Sequence, residues 1–312
     1  MVWDPDSSFI DIWTPPESID PNTCPGVDCS TGIVKGMSVD DSGAYVVTNS
    51  MVAKFISPGP GSAPSIVWQY NYDRGTGRQP GMQSWGSGTS PKLFGSDGNY
   101  LAIADNANPR INVIVLDRTD GNLVCQLPIF KAGQSATTTS FVGYENSLFA
   151  VNDYGMQPGV SVPGAPGFIR VDVNPTAGTC SEIWSKGDTT NTGCLKLSTH
   201  TGLVYNNVNK KSAALIAATK TAKALVPENW IPLVDMLSNF LSDNYVLARN
   251  WATGKEQYKL PLNTGKGFFG GTFTLGEVNG WTFFVSNQIG PAGELYVGTL
   301  NSLKVIYDSS TS

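Results

Sequence analysis

The chain is poor in charge and nearly devoid of histidine. Asp, Glu, Lys and Arg together make up 14% of its 312 residues, and His200 is the single histidine. No apolar run reaches the roughly 18 residues that a membrane-spanning helix needs. The formal charge of −5 excludes the basic surface that would hold nucleic acid. No CxxC occurs, and His200 sits in the turn Thr199-His200-Thr201-Gly202, which argues against a zinc site and leaves no base for a serine triad. There is no GxSxG elbow. Gly86-Ser87-Gly88-Thr89 lacks the spacing of a phosphate loop, and Gly254-Lys255 and Gly265-Lys266 read as hairpin turns.

Five cysteines leave at least one unpaired. Cys24 and Cys29 lie in a Pro/Gly-rich connector where a small disulfide loop is easily made. Cys180 and Cys194 look like a pair by position. They fall, however, at opposite ends of one outer strand, too far apart to bond. Cys125 reads as a small buried hydrophobe.

What the chain does have is turns. With 34 Gly, 20 Pro and 40% hydrophobic residues, it suits many short strands better than long helices. Residues 89–128 show the pattern most clearly. Strand runs at 89–94, Tyr100 to Ala104, Ile111 to Asp117 and Leu123 to Leu127 are separated by Ser96-Asp97-Gly98-Asn99, a polar corner from Asp105 to Arg110, and Thr119-Asp120-Gly121-Asn122. Four strands in about 40 residues make one blade of a β-propeller.

The unit repeats at 33–72, with runs Val34 to Val39, Tyr45 to Thr48, Val52 to Ile56 and Ser65 to Tyr70. A third unit holds Thr139 to Gly143, Ser147 to Val151, Phe168 to Val173 and Glu182 to Ser185. The fourth opens at Leu195 to Ser198 and Leu203 to Tyr205. There, Lys211 to Leu225 is rich in Ala and Lys and predicts a helix, and apolar spacing over 229–241 predicts a second. Strands resume at Asn244 to Ala248 and Gln257 to Leu260, and a last group lies at 271–278, 281–286, 294–299 and 303–307. The sequence therefore predicts an all-β protein, one propeller domain over 1–312 with about six four-stranded blades and a two-helix insertion at 211–242. MVWDPDSSFIDIW lacks the basic and apolar regions of a signal peptide and reads as a strand pair that closes the ring. The expected location is cytoplasmic if Met1 is the native start and secreted if an upstream part is missing.

In each unit the second strand ends in a polar corner: Thr48-Asn49, Asp105-Asn106, Asn152-Asp153 and Asn206-Asn207. In a propeller these corners surround one mouth of the central channel. Asn and Asp also favour such turns because their side chains cap backbone groups. The expanded corners, 152–167 and 206–243, lie on that same face, as binding loops and lids do. The functional reading is a funnel in which Trp85, Phe268 and Phe269 stack on a ligand and Asn106, Asn152 and Asn206 donate hydrogen bonds. Lys196 or Tyr154 would polarise a carbonyl, with Asp105 and Asp153 completing the polar ring and the helices acting as a lid. Oxygen ligands from Asp105, Asn152, Asp153 and Asn206 would suit Ca²⁺, but no metal or other cofactor is expected.

The stretches VLDRTDGNLVCQL and NWATGKEQYKL resemble the D-x-x-T-G-x-x-x-W outer hairpin of quinoprotein-like (PQQ-like) propellers. The resemblance spans most of the chain. It implies the propeller fold and a Trp docking motif, where these two units carry Cys125 and Tyr258. It also implies, in dehydrogenases of the family, an adjacent cysteine pair that is absent here. By architecture the chain is similar to fungal propeller pericyclases of the hetero-Diels–Alderase kind, which work by orientation and polarisation. The function expected is a small-molecule-binding propeller, leaning to a cofactor-independent cyclase or lyase acting on a largely apolar substrate. The alternatives are a non-catalytic interaction module and a metal-dependent lactonase-like hydrolase.

Overall fold

The computed structural model describes residues 35–80, 85–154, 165, 167–186, 195–196, 203–206, 212–216, 219–220, 245–261, 287–290, 294–298 and 303–306. The first sheet contains β1 (Ser38–Asp40), β2 (Gly43–Val47), β3 (Met51–Ile56) and β4 (Ser65–Asn71), each paired antiparallel with the next. The second repeats this with β5 (Lys92–Phe94), β6 (Tyr100–Ala104), β7 (Asn112–Asp117) and β8 (Leu123–Pro128). The third has β9 (Val142–Tyr144), β10 (Ser147–Val151), β11 (Phe168–Asn174) and β12 (Thr179–Lys186).

Beyond these come β13 (Leu195–Lys196), β14 (Leu203–Asn206), β15 (Ser212–Ile216), β16 (Thr219–Lys220), β17 (Tyr245–Asn250) and β18 (Glu256–Pro261). Strands β14, β15, β17 and β18 form the fourth sheet, while β13 and β16 pair separately. A three-stranded sheet follows, with β19 (Asn287–Ile289), β20 (Leu295–Gly298) and β21 (Leu303–Ile306). First strands meet in chain order, β5 with β9, β9 with β14 and β14 with β19, so the sheets are arrayed as blades around an axis. The fold is all-β, a propeller.

The faces of the blades explain why their strands are apolar almost without interruption. In the second blade Leu101, Ile103, Ile114 and Leu116 pack against Tyr45, Val47, Val52, Trp68 and Tyr72 of the first. The alternate residues Ala102, Ala104, Val113 and Val115 turn the other way, onto Phe141, Leu148, Ala150, Ile169 and Val171 of the third. A strand covered on both faces loses the polar-out alternation of a half-exposed one. Leu101, Ala102, Ile103 and Ala104 are accordingly all 0% exposed.

The pairing registers bring out a repeat that the sequence pattern does not show. In each of the four four-stranded sheets among the described residues the third and fourth strands slip by one residue at the same place. The shifts fall at Lys54/Phe55, Val115/Leu116, Arg170/Val171 and Ala248/Arg249. Just before each slip the third strand faces Trp68, Cys125, Trp184 and Tyr258 in turn. A bulge of this kind re-aims the side chain beside it. Trp68 reaches the second blade, donating from Nε1 to the Arg118 carbonyl at 3.1 Å and covering Gly121, where an added Cβ would stand 2.6 Å from the ring. Trp184 does the same to the fourth blade, donating to the Trp251 carbonyl at 2.8 Å and covering Gly254. Trp68 and Trp184 thus each fasten one blade to the outer hairpin of the next.

Two expectations are corrected. Ser212–Ile216 is not helical but a strand, paired with β14 and β17, and Thr219–Lys220 pairs with β13. Second strands elsewhere also carry alanine, at Ala102, Ala104 and Ala150, and strand pairing on both edges outweighs the helical preference of Ala. Cys125 is not a lone hydrophobe: it forms a disulfide with Cys180 of the third blade, their Cα atoms 5.7 Å apart. The second helix at 229–241, the strands expected at 271–278 and 281–286, Cys24, Cys29 and Cys194, the N-terminal strand pair and the remainder of the blade count lie outside the described residues. Among the described residues no helix is long and apolar enough to cross a membrane.

Candidate functional site

The corner side chains hold backbone. Asp105, 1% exposed, accepts from the Asn112 amide at 2.6 Å, from Asn112 Nδ2 at 2.6 Å and from the Ala107 amide at 3.2 Å. It closes the turn that leads into β7, as Thr48 Oγ1 does for the Met51 amide in the first blade at 3.2 Å. Asn106 reaches back to the connector from the first blade, donating from Nδ2 to the carbonyls of Arg74 and Gly77 at 2.8 and 2.9 Å. Asn152 accepts from Ala136 and Tyr154 amides and donates to the Gln134 carbonyl. Asp153 Oδ2 accepts from the amides of Thr138 and Thr139 and from Thr138 Oγ1 at 2.8 Å. In the second and third blades the corner therefore grips the connector that arrives from the blade before it.

Some polar capacity is left over. Asn106 Oδ1, Asp153 Oδ1 and Trp85 Nε1 are buried with no hydrogen-bond partner. A buried, unpaired polar atom costs on the order of 1–3 kcal/mol, so each one needs a reason. The Trp85 ring lies under the Arg74 guanidinium, 5.1 Å from its centroid. Tyr154 is half-buried, and its carbonyl accepts from the Ala165 amide at 2.9 Å.

Asp153 stands beside a collar made by the segments that lead into three first strands. A Cβ on Gly36 would lie 3.3 Å from Ser90 Oγ, the Ser90 amide donates to Ser140 Oγ at 3.0 Å, and the Thr139 amide reaches Asp153 at 2.9 Å. Lys35 occupies in the first blade the place held by Thr89 in the second and Thr139 in the third. Burial lowers the pKa of its amine, opposed in part by the charge of Asp153. Burial also lowers that of Lys92, whose Cε lies 3.2 Å from where a Cβ on Gly143 of β9 would be. The partly desolvated Lys35 ammonium and the Asp153 carboxylate thus border this end of the axis, with Lys92 one turn of the pleat further along β5. Lys35 escapes a residue-by-residue reading. Only its alignment with Thr89 and Thr139, visible once the first strands are in register, marks it as unusual.

The other expected residues do not join this group. Leu203–Asn206 is the first strand of the fourth blade, not the second, so Asn206 leads into the turn before β15 at the opposite end of the blade from Asp105 and Asn152. Lys196 belongs to the small β13–β16 sheet and not to an axial first strand. Phe268 and Phe269 lie outside the described residues.

Burial raises the pKa of both Asp105 and Asp153 from 3.8 to about 6, against the hydrogen bonds each accepts. A carboxyl that holds its proton more tightly when folded stabilises the fold fully below its unfolded pKa. That stability is lost as pH rises through about 6. Each should add about 2 kcal/mol to the unfolding free energy on going from pH 7 toward pH 4, and the two together about twice that. Asp153→Asn keeps an acceptor for Thr138 and Thr139 and should remove about half of that gain, read from urea unfolding at several pH values. An unchanged slope would show that Asp153 titrates normally.

No protein-family model matches the sequence, and no relative is found among curated proteins. Solved structures do match. A quinohemoprotein alcohol dehydrogenase from Pseudomonas putida HK5 superposes with a TM-score of 0.53 at 13% identity, over 88% of this chain and 40% of that one. BamB from Moraxella catarrhalis gives 0.48 at 11% identity over 89% and 61%. The Swd1 β-propeller domain of Myceliophteria thermophila gives 0.46 at 10% identity over 85% and 66%. The chain spans less than two thirds of the length of each. At such identities the fold alone is shared. The chain is a β-propeller, alike in fold to the quinohemoprotein alcohol dehydrogenase.

Proposed function

We propose that the chain binds a small organic molecule bearing a carbonyl or carboxylate oxygen at the collar end of its axis and polarises that oxygen. The observation that carries this reading is Asp153, fully buried yet with Oδ1 unpartnered, beside segments that bring Gly36, Ser90 and Ser140 together and within the electrostatic reach of Lys35. Ammonium donors held in a partly desolvated site stabilise developing negative charge far better than in water. A carboxyl with a pKa about 6 is suited to exchange a proton near neutrality. Orientation with polarisation is sufficient for a cyclase or lyase reaction, the class we favour.

Ligand-observed NMR with a library of small ketones, enones and carboxylates tests this directly. Binders should be found for the wild-type chain and should weaken at least tenfold in Lys35→Met. Ligands held equally well by that variant, or no binders at all, would overturn the reading. One observation favours a second reading, a protein-interaction module. Val67, Leu123 and Ile183, on the outermost strands β4, β8 and β12, are 45–46% exposed, and an outer strand edge can accept a partner strand. In that case Val67→Lys should abolish partner binding and leave small-molecule binding intact.

A further inference from the structure

The outer turns of three successive blades are built alike. Gly121, Gly178 and Gly254 donate to the carbonyls of Asp117, Asn174 and Asn250 at 2.9, 2.9 and 2.8 Å. The side chains of those three residues cap the amides of Thr119, Thr176 and Thr253. Above Gly121 lies the Trp68 ring, and above Gly254 the Trp184 ring. Among the described residues no ring lies above Gly178. A Cβ there would meet only the Val124 carbonyl oxygen, at 3.6 Å, because the residue at the latch position of the preceding blade is Cys125. That cysteine is bonded to Cys180, two residues beyond Gly178.

We infer that the Cys125–Cys180 disulfide is a covalent substitute for the indole latch at the seam between the second and third blades, and that the working protein is the oxidised form, made in a compartment that forms disulfides. Three lines support the substitution. The cysteine stands at the bulge position that carries Trp68 and Trp184. Its partner lies on the same hairpin of the next blade that the indoles cover. The bond closes a segment with a sequence separation of 55, long enough to restrict the unfolded chain strongly. Reducing cytosols do not maintain structural disulfides, so a chain that uses one where the seams on either side use tryptophan depends on an oxidising environment. The seam also carries the connector that Asp153 grips through Thr138 and Thr139, so its closure bears on the collar.

Peptide mapping of the full chain, secreted from an oxidising host and alkylated with iodoacetamide before reduction, should recover Cys125 and Cys180 in one cross-linked peptide. Both cysteines alkylated would overturn the inference. The melting temperature of that protein should fall by roughly 10 °C in a phosphine reductant, and that of the Cys125→Ser, Cys180→Ser double variant should not respond at this seam. A protein made with both thiols free in a reducing cytoplasm and equally heat-stable would also count against it. Finally, Cys125→Trp combined with Cys180→Ser should recover part of the lost melting temperature, because the open space over Gly178 can take the ring. A Trp variant no more stable than Cys125→Ser would break the equivalence of the two latches.

Discussion

Trp184→Ala is expected to lower the unfolding free energy by about 3–5 kcal/mol, the usual range for emptying a buried tryptophan site. Trp184 is 8% exposed although it lies in an outermost strand. Its ring packs edge-on to Phe149 with centroids 5.4 Å apart, and Phe149 in turn lies against Phe168 and Trp251. Its N–H satisfies the Trp251 carbonyl, which also accepts from Arg170 Nη1 at 3.1 Å. Removal therefore loosens a group that spans the third and fourth blades, and alanine can replace neither the volume nor the donor. Trp68→Ala removes a similar ring with fewer aromatic neighbours, Tyr45 being 6.1 Å away, and should cost less. Urea unfolding followed by circular dichroism measures both. A loss below about 1 kcal/mol at Trp184 would mean that the seam is held by other contacts.

Gly121→Ala should cost about 3 kcal/mol, and Gly178→Ala only about 1 kcal/mol, although both turns have the same form. Their φ angles are 75° and 60°, in the left-handed region where a side chain is strained, so that contribution is common to the two. The difference comes from what lies above. At Gly121 the new methyl would stand 2.6 Å from Trp68 ring carbons, and at Gly178 nothing comes nearer than 3.6 Å. The comparison isolates the indole latch with no change to the tryptophan itself. In the Trp68→Ala background the excess cost of Gly121→Ala should vanish, since the obstructing ring is gone; this non-additivity is what contact between the two residues requires. Equal costs at Gly121 and Gly178 in the wild-type chain would remove the latch from the account of stability.

Strand-length apolar runs bounded by short turns rich in Asp, Asn and Gly made the first three blades legible in the sequence. Tyr100 to Ala104 and Ser147 to Val151 are found where those runs place them. The fourth blade was read one strand out of step because Ser212–Ile216 carries two alanines, whose local preference is helical although the segment pairs as a strand on both edges. That single shift moved Asn206 to the wrong end of its blade and Lys196 into the axis. The disulfide was hidden for a different reason. Cys125 and Cys180 are neighbours only through the bulge that turns residue 125 sideways, and a bulge leaves no mark in a hydrophobic pattern. At the corners the capping preference of Asn and Asp accounts for most of their hydrogen bonds. What remains, one bare oxygen on Asp153 and a lysine where its counterparts are threonines, emerges only when three blades are laid side by side.

The indole latches also order events in time. Trp68 has no carbonyl to bind and no glycine to cover until residues 118–121 have been synthesised and folded, some fifty positions downstream. As the chain leaves the ribosome the second and the fourth blade therefore each signal their arrival by burying a fluorophore that the preceding blade has already presented. Nascent chains stalled successively beyond residue 121 should report that docking as a blue shift in emission, a built-in clock of assembly around the ring.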